Sequence, residues 1–319
     1  MDFKQFKDRY QKIEVEEISN IVDKNPKVSI IVQTYQHENY IEECLKGILA
    51  QKTDFPIEII IGEDCSKDQT RKICLDYSAK FSDKIRLFLH HRENQIKILN
   101  EPSSNFNAIH NFFSARGEYI AFCEGDDIWS DPFKLQQQID YLDTHKDYSF
   151  TYHSFQTIDA KSNPIFSVEE NNQPRNDINS YELKICKYHP LLLTVCFRNR
   201  LNNIPDAMIK VLNLDSFLIS LLGNIGEAKF LGQIKPSLYR KHSGGIWSNR
   251  ILEKKNKSKI LTYKNLTKYY KERNDLVTAN FFKNLALNNY KSLLYVQFKE
   301  NSYIKLSSTL YSYLKYRLV

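Results

Sequence analysis

The segment VSIIVQTYQHENYIEECLKGILAQ, residues 28–51, decides the fold. Residues 28–32 form an apolar, mainly β-branched run of the kind buried on both faces of a parallel sheet. A helix must follow, because Ile41, Cys44, Leu45, Ile48 and Leu49 fall at i, i+3, i+4, i+7 and i+8 and make one apolar stripe. Parallel neighbours need crossover connections, so strand and helix should keep alternating.

The pattern continues through residues 57–61 (strand), 68–81 (helix), 85–89 (strand), 105–116 (helix) and 119–123 (strand). This predicts an α/β sandwich with a mainly parallel central sheet. Ligands belong at the carboxyl ends of such strands, where three polar clusters fall: 33–38, 63–70 and 124–127. Further on, a Pro-started helix is expected over 132–145, a strand over 148–152, a loop over 159–179, an apolar segment over 191–197 and a helix containing Asp215. From Lys254 the chain reads as helical throughout. Residues 1–26, with Phe3, Phe6, Tyr10 and Ile13 at helical spacing, read as a leader helix packed on the body.

The 319 residues carry a formal charge of +7, unevenly distributed. Residues 250–319 hold 15 Lys and Arg against 4 Asp and Glu, and the rest holds 30 against 34. The mildly acidic body therefore offers no basic groove for nucleic acid. Six cysteines without a C-x-x-C pair, and no apolar leader, point to a reducing cytoplasm. No run approaches the ~18–20 apolar residues that span a bilayer, so any membrane contact is expected to be peripheral.

The first glycine in the chain is Gly47, so no glycine follows the first strand. That excludes the Gly-rich phosphate cradles of dinucleotide-binding and P-loop enzymes. A diphosphate then needs a carboxylate-held divalent cation. Glu124, Asp126 and Asp127, in EGDDIW after the strand YIAFC, supply carboxylates, with Gly125 permitting a tight turn. Alone they also read as a solvated turn before the next helix, but clustered acids at a buried strand end call for a compensating cation. In EDCSKDQT (63–70), Ser66 or Asp68 fits a helix cap, and Asp64 at the sheet's edge could accept the N–H of a uracil or thymine. A sugar-phosphate nucleotidyltransferase is the alternative class, although it usually carries a Gly-rich basic loop.

In order along the chain, VSIIVQTYQHENYIEECLKGILAQ, EDCSKDQT, ARGEYIAFCEGDDIW (115–129), LNLDSFL (212–218) and YRKHSGGIWS (239–248) resemble the family 2 inverting glycosyltransferases of the GT-A fold. The resemblance covers about residues 27–249. It implies a nucleotide-sugar pocket lined by Gln33, Thr34, Tyr35 and Glu38, with Asp64 meeting the base. It implies that Glu124, Asp126 and Asp127 hold Mg2+ or Mn2+, Asp127 as the main ligand, and that Asp126 meets the ribose or the metal. His242 would contact metal or diphosphate, Arg240 and Lys241 the diphosphate, and Asp215 would be the general base. Without the resemblance, Asp215 reads as a helix surface acid and His242 as a loop histidine.

The family's processive synthases carry transmembrane helices and a Q-x-x-R-W segment, and this sequence has neither, which implies one sugar per cycle. The implied reaction takes a UDP-linked donor to a glycan or lipid-linked glycan acceptor, in capsule, O-antigen or related assembly. The expected parts are 1–26, the catalytic domain 27–249 and a basic helical segment 250–319. That last segment either packs on the catalytic domain or lies on anionic lipid at the inner face of the cell membrane.

Overall fold

The computed structural model describes residues 1–201, 203–245 and 250–318. Ile246, Trp247 and Ser248, which end the last motif quoted above, lie outside them.

Strand Val28–Thr34 is central to an eight-stranded sheet, and Val28, Ile30, Ile31 and Val32 are all buried. It runs parallel to Ile57–Glu63 on one side and to Tyr119–Phe122 on the other, and Ile85–Leu89 extends the parallel set. Beyond Tyr119–Phe122 the order continues with Cys196–Arg198, Tyr148–Tyr152 and Glu227–Phe230. Cys196–Arg198 is antiparallel to both neighbours, so the sheet is mixed but mostly parallel. Helices cover both faces, and Ile41, Cys44, Leu45 and Ile48 bury the stripe predicted for helix Ile41–Leu49. The expected α/β sandwich is the observed architecture.

A two-stranded parallel sheet, Phe155–Ile158 with Ser237–Arg240, is absent from the sequence reading. It docks through reciprocal backbone bonds between Ile128 and Leu238, 3.0 and 2.8 Å, just past the EGDD turn. This contact brings residues 237–242 over the carboxyl ends of the central strands.

The leader helix is shorter than expected. It spans Phe3–Tyr10, capped by Asp2, which accepts the Gln5 N–H at 2.8 Å. The chain then turns extended, and Glu16–Glu17 adds an antiparallel edge to Ile85–Leu89. Phe6 is buried against Phe106, within the core shared by the central strands.

The C-terminal segment forms three helices, Leu252–Lys271, Leu276–Lys299 and Tyr303–Leu318. Leu266, Tyr270, Ala279 and Phe282 belong to the main core, and the Tyr270 hydroxyl lies 3.1 Å from the Ser220 carbonyl. The first two helices therefore pack on the catalytic body, whereas no residue of the last is fully buried. Among the described residues no helix is long and apolar enough to cross a membrane.

Candidate active site

The site floor is the EGDD turn after Tyr119–Phe122, anchored by the Gly125 N–H donating to Gln33 O at 2.9 Å. The tight turn expected at Gly125 is present, closed by the Asp127 N–H donating to Glu124 O at 2.9 Å, and it needs no positive φ at the glycine. Space is what requires it, because a Cβ there would lie 2.8 Å from Thr34 Oγ1 and 2.9 Å from His37 Nδ1.

Three side chains converge above this floor. Asp126 Oδ2 lies 3.0 Å from His242 Nε2 and 3.9 Å from His37 Nε2. One ligand atom from each of the three falls within 4.8 Å of the others. Asp126 Oδ1, His37 Nδ1 and Thr34 Oγ1 are buried without a hydrogen-bond partner among the described residues. Burial opposes ionisation of Asp126, but His242 and His37 outweigh it and hold the carboxyl below its usual range. Burial keeps His37 toward the neutral form that ligates metals. One carboxylate and two imidazoles make a donor set that fits a divalent cation and favours Mn2+ over the all-oxygen preference of Mg2+.

The other two acids of the turn are placed differently. Asp127 is buried and its Oδ1 accepts the Arg240 N–H at 2.9 Å, so the carboxylate expected to lead metal binding is engaged with the neighbouring strand. Glu124 is exposed in the cleft yet hemmed in by protein, which pushes its carboxyl up to about 8, with Asp126 and Asp215 adding repulsion. Arg240, expected at the diphosphate, is 3% exposed and spends its guanidinium on Asp126 O, Ser162 Oγ and Glu43 Oε2, at 2.9, 2.9 and 2.6 Å. Lys241 pairs with Glu169 at 2.7 Å. Glu38 accepts the Gln69 N–H at 2.8 Å, just before helix Thr70–Lys80, so it braces two loops together.

A second cluster of side chains lies at the ends of Val28–Thr34, Ile57–Glu63 and Ile85–Leu89. Asp64, 6% exposed, accepts from Arg92 Nη1 at 2.7 Å and from Gln95 Nε2 at 3.3 Å. Burial pushes its carboxyl up, and the Arg92 charge opposes that shift. The Arg92 guanidinium sits 4.1 Å from the centroid of the Tyr35 ring. A flat ring, a fixed cation and a buried acceptor form a surface suited to a nucleobase.

Asp215 opens helix Leu214–Leu222, and its Oδ2 lies 3.5 Å from His189 Nε2. The same imidazole nitrogen is 3.1 Å from Ser216 Oγ. The Asp215 charge adds to the repulsion that raises the Glu124 carboxyl. The structure brings Asp126 and His242 together beside Gln33 and Thr34, and sets Asp215 against His189. His37, Arg92, Gln95 and His189 are additions the sequence reading missed. Arg92 and Gln95 follow the third strand, a carboxyl end that was available as a signal.

The fold and this cleft define a GT-A-like enzyme. Residues 29–203 match the model of glycosyl transferase family 2, more than half of the chain, and the chain belongs to that family. It is 32% identical over 234 residues to an uncharacterized protein of Mycobacterium tuberculosis, covering 72% of this chain and 62% of that protein's length. A putative glycosyltransferase of Bacillus subtilis, EpsE, is 34% identical over 127 residues, 40% of this chain and 42% of that protein. Among solved structures, S. aureus TarS 1-349 in complex with UDP-GlcNAc aligns over 91% of this chain and 92% of that one, with a TM-score of 0.54 and 16% identity. That likeness is one of fold.

Proposed function

We propose that the protein transfers one sugar per cycle from a UDP-linked donor to a hydroxyl of a glycan or lipid-linked glycan, with inversion at the anomeric carbon. The observation carrying this reading is the convergence of Asp126, His37 and His242 above the EGDD turn, in a fold that also sets Tyr35, Arg92 and Asp64 together at the strand ends. Tyr35 stacks on the base, and Asp64, buffered by Arg92, accepts its N–H. TarS, which shares the fold, binds UDP-GlcNAc, so UDP donors are the first to test.

Asp126, His37 and His242 are the residues that would hold a divalent cation, which would supply positive charge to balance the departing diphosphate. Asp127 and Arg240 act as positioning residues that lock the small sheet to the turn carrying Asp126. Asp215 takes the acceptor hydroxyl proton as that oxygen attacks the anomeric carbon, and His189 orients the Asp215 carboxylate. Glu124, raised further by the Asp215 charge, borders the acceptor side of the cleft.

Asp215→Asn tests the reading. It should lower transfer by about a hundredfold or more while leaving UDP binding intact, because the amide cannot accept the proton. Unchanged turnover in this variant would remove the base assignment. The rival nucleotidyl transfer would instead show as pyrophosphate release from UTP and a sugar phosphate.

A further inference from the structure

The last helix, Tyr303–Leu318, has two opposed faces. At about 100° per residue, Leu306, Thr309, Ser312, Tyr313 and Tyr316 fall in one arc of about 120°, and these are its half-buried positions. That face packs on the two preceding helices. The Tyr316 hydroxyl bonds Thr267 Oγ1 at 3.1 Å, and the Tyr313 ring lies 6.2 Å from Tyr290.

Tyr303, Ile304, Leu310, Tyr311, Leu314 and Leu318 fall together in a second arc of about 120°, with Ser307 among them. Each is exposed, from 43% at Leu310 to 89% at Ile304. Lys315 borders this arc on one side and Arg317 on the other. From Leu276 to Val319 the chain carries six Lys and Arg and a single acid, Glu300. A second copy on this face would set like charges against each other across the seam, which disfavours self-pairing.

We propose that this face docks on an anionic lipid bilayer, with the apolar arc entering the headgroup boundary and the flanking cations meeting lipid phosphates. Lys305 is tied to Glu253 at 3.4 Å, and the first two tail helices are built into the catalytic core. Docking therefore holds the Asp215 cleft at a fixed offset from the membrane surface, where a lipid-linked acceptor would lie.

Flotation of the full chain tests this, using vesicles of pure phosphatidylcholine or of equimolar phosphatidylcholine and phosphatidylglycerol. The protein should float with the anionic vesicles only. The triple variant Ile304→Ser, Tyr311→Ser, Leu318→Ser should partition roughly tenfold less or weaker still, with unchanged circular dichroism and Mn2+ binding. Lys315→Gln with Arg317→Gln should reduce the salt dependence of binding. Equal flotation of wild type and triple variant, or no flotation of wild type, overturns the proposal. So does a concentration-dependent dimer that the triple variant abolishes, which would assign the face to a second copy.

Discussion

Asp126 and His242 meet at 3.0 Å although 116 residues separate them in the chain. Asp126 stands on the floor after the fourth central strand, whereas His242 arrives on the chain leaving Ser237–Arg240. The pair exists only because the small sheet docks on the EGDD turn, through the Ile128–Leu238 bridge and the Asp127–Arg240 bond. Cation binding and docking of this segment should therefore be coupled.

Removing a metal ligand should cost at least the ~10–100-fold in affinity that supporting residues of metal sites cost. Isothermal titration or Mn2+ electron paramagnetic resonance should show this for Asp126→Ala, His242→Ala and His37→Ala. Mn2+ should bind more tightly than Mg2+ to the native chain, and the two His variants should narrow that preference. Full Mn2+ affinity in His37→Ala would take that residue out of the ligand set.

Gly125→Ala adds a methyl group within 3 Å of Thr34 Oγ1 and His37 Nδ1. The fold should survive, because the strain falls on the His37 side chain in the loop and on Thr34 at the very end of the central strand. Mn2+ affinity should fall with little change in melting temperature. A large loss of stability with native metal affinity would mean that the turn, and not His37, yields to the methyl.

Nucleotide binding should depend on Arg92, which combines a cation–π contact with a charged bond to Asp64. Arg92→Ala should weaken UDP by about 1–2 kcal/mol, roughly tenfold or more, while leaving Mn2+ affinity unchanged. Fluorescence titration with UDP distinguishes the two effects.

The central strands were legible because their β-branched runs are buried on both faces and their helices carry clean apolar stripes. Strand Cys196–Arg198 was not, since three residues show no alternation and its place between Tyr119–Phe122 and Tyr148–Tyr152 is set by tertiary pairing alone. Asp126, His242 and Asp215 were legible through motifs. The engagement of Arg240 with Glu43 and Ser162 was not, because its partners come from distant segments. His37 stood in the quoted QHENY segment, but only the left-handed turn at Gln36, φ 54°, and the proximity of Asp126 reveal a ring facing that carboxylate. Nor did spacing distinguish Asp127 from Asp126, since adjacent residues in a turn point different ways.

The share of stability held by His90 and His110 should fall as the pH drops below neutrality. Burial lowers His90 from 6.5 to about 4 and His110 to about 3, with Arg71 acting further on the first, and His90, Lys7 and Arg86 on the second. Both imidazoles are neutral in the folded chain, whereas the unfolded chain takes up protons below about pH 6.5. Their contribution is present above that pH and is lost as the pH falls toward the folded values, on the order of 3 kcal/mol for His90. Melting temperatures between pH 7 and 5 should show this decline, and His110→Phe should flatten it. An unchanged slope in that variant would place the acid sensitivity elsewhere.

Proton NMR of the sugar first released from UDP-α-hexoses, with Mn2+ and with chelator, tests the reaction most directly. Asp215-assisted attack from the face opposite the leaving diphosphate predicts Mn2+-dependent release of the β-anomer. Initial release of the α-anomer, or release at the same rate without a divalent cation, would contradict it.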